Sequence, residues 1–119
     1  MPPLTCRLTP TRALPGVAVV ALEGSIDPRN LFVLEKALGS ASGQGFRSLV
    51  LDLAQIRYIN SAGLAYLVNL SDLLAARGGS LELANAQPKV KIVFEMMGLT
   101  EFFTLYKTTD AALAAIRRR

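Results

Sequence analysis

Two short apolar runs constrain the fold of this chain more than any other feature. They occupy residues 17–22 and residues 48–53, the second with a serine at its start and one aspartate inside it. The continuous apolar run over residues 17–22 is typical of a strand that other elements cover on both faces, and residues 48–53 predict another strand. Alternation of apolar and polar residues over residues 4–9 predicts a half-buried strand before them, joined by a short turn at Pro15-Gly16. The first two strands are therefore expected to form an antiparallel hairpin.

Helical periodicity separates and follows these strands. Leu31, Leu34 and Leu38 mark one face of a first helix, whose start is predicted at Asp27-Pro28 because a carboxylate can cap free amides and proline suits the first helical position. Three further helices are predicted to begin at Ser61, at Pro88 and near Thr108. Short strands are predicted over residues 81–84 and near residues 103–106. The strand predicted at residues 48–53 is the best candidate for the centre of the sheet.

Strands that alternate with helices imply right-handed crossovers and a largely parallel sheet. The predicted fold class is α/β, with a mixed sheet of four to five strands, an N-terminal antiparallel hairpin and about four flanking helices. The length of 119 residues fits one domain, so we expect residues 1–119 to form a single unit.

Composition points to a globular protein that stays in the cytoplasm. Hydrophobic residues make up 51% of the chain, and no apolar run approaches the roughly 18 positions that a membrane span needs. The first residues lack the order of a signal peptide, which predicts a cytoplasmic protein without a membrane span. The single Cys6 cannot form an internal disulfide.

The formal net charge is +4, and three of the positive charges lie in the terminal residues 117–119. Such a tail can attract phosphate or an acidic membrane surface. It can equally be a solubilising helix end, because cations suit the negative end of the helix dipole. No basic stripe with interleaved aromatic residues accompanies it, so we expect no direct binding of nucleic acid.

Residue types needed for catalysis are scarce. The chain has no histidine, the commonest general base and metal ligand, and one cysteine cannot build a thiolate zinc site. Ser25, Ser61 and Asp52 lack a base and a nucleophile elbow, which argues against a serine hydrolase. A functional pair of carboxylates formed by Asp27 and Asp52 stays an open alternative, because both residues lie near strand ends, where α/β proteins place their sites. We expect a protein-binding module rather than an enzyme, with no metal and no cofactor.

The segment from residue 50 to residue 64 carries the most functional information. A buried strand is expected to end at Leu53 and a loop to follow it, before a helix starts at Asn60-Ser61. The side-chain oxygen of Asn60 or of Ser61 can accept from the first free amides of that helix. A serine at a helix start has two interpretations. It can cap the free amides, or it can be an exposed hydroxyl whose phosphorylated form the helix amides tolerate. Ala62 and Gly63 add little bulk, so a partner surface could approach closely.

Three segments of the chain resemble the STAS family, and within it the bacterial anti-sigma factor antagonists. They are Asp52-Leu53-Ala54 with Ile59-Asn60-Ser61-Ala62-Gly63-Leu64, the earlier Leu22-Glu23-Gly24-Ser25-Ile26-Asp27, and the later stretch from Pro88 to Gly98-Leu99. The three occur in the family's order and are distributed along the chain from residue 22 to residue 99.

The resemblance implies a phosphorylation switch. In that family the serine that matches Ser61 is phosphorylated by a partner that is both anti-sigma factor and serine kinase, and a phosphatase resets it. The unphosphorylated antagonist binds this partner and frees a sigma factor. The implied partner-binding residues are Gly24, Ser25, Asp27, Asn60, Ser61, Ala62 and Gly63, on a monomer or weak dimer. Position 60 departs from the family's aspartate, because asparagine keeps the hydrogen-bonding shape but loses the charge.

Relatives of this fold serve other roles, which leaves an alternative function open. The chain would then be an adaptor that is not phosphorylated, either as a subunit of a phospholipid-trafficking ABC transporter or in a stress-signalling scaffold.

Overall fold

A computed structural model describes residues 3–118 of the chain. Its strands are β1 (Thr5–Pro10), β2 (Val17–Ile26), β3 (Ser48–Ile59), β4 (Ser80–Ala84) and β5 (Leu105–Tyr106). Its helices are α1 (Leu31–Gly43), α2 (Ser61–Ala76), α3 (Pro88–Met96) and α4 (Thr109–Arg117).

The strands form one mixed sheet in the order β1-β2-β3-β4-β5. β1 runs antiparallel to β2, and every other neighbouring pair is parallel. The predicted fold class, the N-terminal hairpin and the central place of residues 48–53 are therefore confirmed. Each parallel connection carries one helix, which is the arrangement that βαβ crossovers require.

The main core lies between the sheet and the layer formed by α1, α2 and α3. Leu38, Leu51, Leu67 and Phe94 are fully buried there, one from each of these helices and one from β3. A smaller cluster lies on the other face of the sheet, where Ala112 of α4 packs near Val50 and Ala84. β3 is thus covered on both faces, which agrees with the central place predicted for residues 48–53.

β2 and β3 extend further than the sequence predicts. We expected strands ending at Leu22 and Leu53 with a loop after the second, but pairing continues to Ile26 and Ile59. Two register shifts interrupt this extension, between Ala21 and Glu23 and between Gly24 and Ser25. Such irregularities break the two-residue alternation from which a strand is recognised, so the prediction of a loop was wrong.

The start of α1 also differs from the prediction. The helix begins at Leu31, with Asn30 as its N-cap residue, and not at Asp27-Pro28. The carboxylate of Asp27 accepts a hydrogen bond from the backbone N–H of Arg29 at 2.8 Å. This closes a local turn before the helix, an alternative that aspartate side chains commonly offer to the backbone.

Candidate functional site

The carboxyl ends of β2 and β3 bring two of the predicted segments together. Ile26 pairs with Ile59 in the last register position of the two strands. The backbone N–H of Asn60 donates to the carbonyl of Ile26 at 3.0 Å. Asp27 follows β2 directly and Asn60-Ser61 follow β3, so the structure places them at the same end of the sheet.

Asn60 is the residue that caps α2. Its Oδ1 accepts from the backbone N–H of Gly63 at 2.8 Å, and its extended backbone has the conformation usual for an N-cap. The cap needs an acceptor oxygen rather than a charge. Asparagine in place of the family's aspartate therefore preserves the local structure of this helix start.

Ser61 occupies the first helical position and is exposed. Because Asn60 provides the capping oxygen, α2 does not depend on the Ser61 hydroxyl for its start. Among the described residues, the Ser61 side chain has no hydrogen-bond partner. Of the two interpretations open from the sequence, the geometry favours a hydroxyl available to another molecule over a plain cap. Ala62 beside it is exposed as well.

Gly63 is buried and faces the interior of the protein. A Cβ placed on it would come within 2.7 Å of Ile26 Cγ2 and 3.0 Å of Ile59 Cγ1. Its lack of a side chain lets the first turn of α2 pack against the ends of both strands. The sequence-based interpretation, in which Gly63 leaves room for a partner, is corrected, because the room is used by the core.

Asp27 is almost completely covered, with its side chain 6% exposed. Its carboxylate accepts from the backbone N–H of Arg29 at 2.8 Å and from the Arg29 guanidinium at 3.3 Å. Burial by itself raises the pKa of the Asp27 carboxyl, but these hydrogen bonds and the adjacent positive charge outweigh it and lower the pKa below its ordinary value. An ionised Asp27 therefore organises its own turn, and its surface offers a partner little to touch.

Gly24 and Ser25, both expected among the partner-binding residues, are buried too. Ser25 is only 2% exposed. Gly24 has a φ of 120°, and a Cβ on it would come within 2.5 Å of the carbonyl oxygen of Pro3. Gly24 thus lets the chain before β1 lie close against β2.

Two functional candidates escaped the sequence analysis. Arg29 has a side chain that is 73% exposed and covers Asp27. Asn30 accepts from the backbone N–H of Asp27 at 2.9 Å and donates to the carbonyl of Ser25, which locks the turn. The sequence Asp27-Pro28-Arg29-Asn30 is typical of turns that are closed by side-chain hydrogen bonds. This pattern could have indicated the turn from the sequence alone.

Exposed residues at this end form the Ser61 surface, which we define as Arg29, Tyr58, Asn60, Ser61 and Ala62. Tyr58 is 48% exposed near the end of β3, and Asn60 is half-buried. The surface combines the serine hydroxyl, one cation and one aromatic ring that carries a phenolic hydroxyl. Such a set suits recognition by another protein better than chemistry on a small substrate.

Comparison with known proteins places this chain in a family. The family model described as the STAS domain matches residues 9–112 of the chain. The chain belongs to the STAS domain family. The three segments that carried the resemblance in the sequence all lie within the matched range.

Relatives of this STAS domain are regulators by name. BtrV of Bordetella bronchiseptica, named provisionally as an anti-sigma factor antagonist, is 33% identical over 102 residues, covering 86% of this chain and 88% of its own. The anti-sigma-F factor antagonist RsfB of Mycobacterium tuberculosis is 29% identical, covering 86% and 83%. The crystal structure of an anti-sigma factor antagonist from Mycobacterium paratuberculosis superimposes with a TM-score of 0.84 at 30% identity, covering 96% and 94%.

The described part of the chain also bears on two other kinds of site. Across residues 3–118, no helix has the length and apolar character that crossing a membrane would require. In the same range, no three histidine, cysteine, aspartate or glutamate side chains gather where they could hold a metal ion.

Proposed function

We propose that this STAS domain is an anti-sigma factor antagonist that acts in the cytoplasm and is switched by phosphorylation of Ser61. In its unphosphorylated form it binds an anti-sigma factor through the Ser61 surface, and the sigma factor held by that partner is released. The names of BtrV and RsfB support the general role. The proposal places no catalytic activity in this chain.

The observation that carries the proposal is the division of roles between Asn60 and Ser61. Asn60 caps α2, so the exposed hydroxyl of Ser61 is available for modification without loss of the helix start. The partner kinase would transfer the γ-phosphoryl group of ATP to Ser61 Oγ, with loss of the hydroxyl proton and release of ADP. A phosphatase would return the hydroxyl by hydrolysis.

The local field suits a phosphate at this position. A phosphoserine adds about −1.5 to −2 charges at neutral pH, and the amino end of a helix favours negative charge. Arg29 adds an exposed cation at the same end of the sheet. We therefore expect the phosphorylated domain to keep its fold. The phosphate acts on partner binding, because it adds bulk and charge at a place where Ser61 and Ala62 are exposed.

Asn60 sets a second feature of the switch. A carboxylate here would lie beside the Ser61 hydroxyl, whereas asparagine presents a neutral amide in the same geometry. A kinase that recognises the charge would phosphorylate this chain slowly, and one that recognises the shape would not distinguish the two residues. Asn60→Asp tests which property the kinase requires.

Phosphorylation by the cognate anti-sigma kinase tests the proposal. The kinase and ATP are incubated with wild type, Ser61→Ala and Asn60→Asp. Intact mass spectrometry then counts the phosphates that each protein carries. Ser40→Ala is the matched control, because Ser40 is an exposed helical serine on α1. We expect one phosphate on wild type and on the Ser40 variant, and none on Ser61→Ala.

Binding of the anti-sigma factor is measured in parallel by calorimetry. We expect Ser61→Ala to bind as wild type does and Ser61→Asp to bind more weakly. A wild-type protein that gains no phosphate but binds the anti-sigma factor would refute the switch and leave the antagonist role. A protein that neither gains phosphate nor binds would favour the adaptor role in a transporter or a signalling scaffold.

A further inference from the structure

Five exposed arginines lie at the end of the sheet opposite to Ser61. Arg12 is in the β1–β2 turn, Arg47 precedes β3, Arg77 follows α2, and Arg117 and Arg118 end α4. Parallel strands begin at one edge of a sheet, and the helices between them run back to that edge. The twelve residues of β3 span about 36 Å at about 3.3 Å per residue, which separates these arginines from Ser61 by the length of the domain.

Contacts hold several of these segments together. The backbone N–H of Arg47 donates to the carbonyl of Gly16 at 2.9 Å, which joins the β1–β2 turn to the start of β3. A cavity of about 180 Å³ is lined by Arg47, Ser48, Gly78, Gly79, Ser80 and Ile116. The end of α4 therefore lies beside Arg47, and one phosphate group fits the volume of this cavity. Four separate segments thus contribute to the arginine end, which we define as these five arginines.

The chemistry of the arginine end suits phosphate. The planar guanidinium binds phosphate oxygens through two parallel hydrogen bonds, which the ammonium of lysine cannot do. The chain's four lysines lie elsewhere, at positions 36, 89, 91 and 107. The ion pair Arg29–Asp27 involves none of the five arginines. The acidic residue that comes closest along the strands is Glu82, the third residue of β4, which is buried and already engaged in an interaction. The exposed acidic residues Asp72, Glu95 and Glu101 belong to α2, α3 and the turn after α3.

The arrangement favours a planar anionic surface over a nucleic acid. None of the segments that carry these arginines has an exposed aromatic side chain on which a base could stack, since Phe46 is half-buried. No single helix presents the arginines to a groove. Leu73, one turn before Arg77 on α2, is 44% exposed and can enter the headgroup region of a bilayer.

We propose that the arginine end docks this domain on a bilayer that contains anionic phospholipids. Docked in this way, the domain presents the Ser61 surface away from the membrane, where an anti-sigma factor can reach it. This second interaction uses residues that the phosphorylation switch does not, so either proposal can fail without the other.

Vesicle sedimentation with the full chain tests the proposal. Vesicles of phosphatidylcholine alone are compared with an equal mixture of phosphatidylcholine and phosphatidylglycerol, at low and high salt. The variant carries Arg47→Gln, Arg117→Gln and Arg118→Gln. Its matched control carries Lys89→Gln, Lys91→Gln and Lys107→Gln, which removes the same charge at the opposite end of the sheet.

We expect binding to the anionic vesicles that weakens as salt rises. Each arginine removed should weaken it by about fivefold, so the triple variant should lose about a hundredfold, while the lysine control stays within about twofold. Circular dichroism checks that both variants fold, and Arg117→Gln with Arg118→Gln alone replaces the triple variant if Arg47→Gln unfolds it.

Three results would overturn the proposal. The first is the absence of binding to anionic vesicles at low salt. The second is an equal loss of vesicle affinity in the arginine and lysine variants, which would mean that binding depends only on the net charge of the protein. The third is tight binding of duplex DNA or free inorganic phosphate by a protein that does not bind the vesicles. This result would assign the arginine end to another ligand.

Discussion

Gly63→Ala should destabilise this domain, although alanine is the better helix former. Alanine in place of glycine within a helix contributes up to about 1 kcal/mol of stability. The new Cβ, however, would come within 2.7 Å of Ile26 Cγ2 and 3.0 Å of Ile59 Cγ1, both in the buried core. Overpacking of this kind costs about 1–3 kcal/mol. The expected net loss in the free energy of unfolding is about 1 kcal/mol, because the clash outweighs the propensity.

Gly39→Ala is the matched control, and it should change stability in the opposite direction. Gly39 lies inside α1, and a Cβ on it would have no atom within 4 Å. The propensity gain then stands alone, at about 0.5–1 kcal/mol. The two substitutions are chemically identical, so any difference between them reports the packing at each site.

Urea unfolding followed by circular dichroism measures both free energies, and thermal unfolding gives a second reading. At about 4 °C per kcal/mol for a chain of this size, the two variants should melt about 8 °C apart. If Gly63→Ala stabilised the protein as much as Gly39→Ala does, the close packing of α2 on the strand ends would be refuted. Gly63 would then return to the role of a partner contact.

Three further predictions concern the same end of the sheet. Leu64→Ala should lower the free energy of unfolding by about 2–5 kcal/mol, because Leu64 is a buried core residue; a smaller loss in urea unfolding would contradict its burial. Asn60→Ala should cost about 1 kcal/mol through loss of the cap while Asn60→Asp costs little, and equal losses would mean that the cap is not used. The pKa of Asp27 is lowered in the folded state, so the stabilisation that wild type has over Asp27→Asn should be complete above about pH 4 and disappear as pH falls through the lowered pKa. Thermal midpoints of both proteins measured against pH check this, and a difference that grows in acid would show the opposite sign of the shift.

The sequence by itself determined the architecture and the most promising hydroxyl. Apolar runs and helical periodicity depend on neighbours along the chain, so the hairpin, the central strand and the start of α2 at Ser61 could be predicted. The STAS resemblance pointed to the same serine. The choice between Asn60 and Ser61 as the cap stayed open, because both side chains can supply the oxygen.

Only the tertiary structure decided which of the predicted site residues reach the surface. Asp27 and Ser25 are covered by their own turn, and Gly24 and Gly63 are pressed against neighbouring backbone and core. From sequence alone, polar residues and glycines are predicted to be exposed. Their actual burial depends on which residues from distant parts of the chain pack against them. The arginine end has the same origin, since its residues become neighbours only because parallel strands start at a common edge.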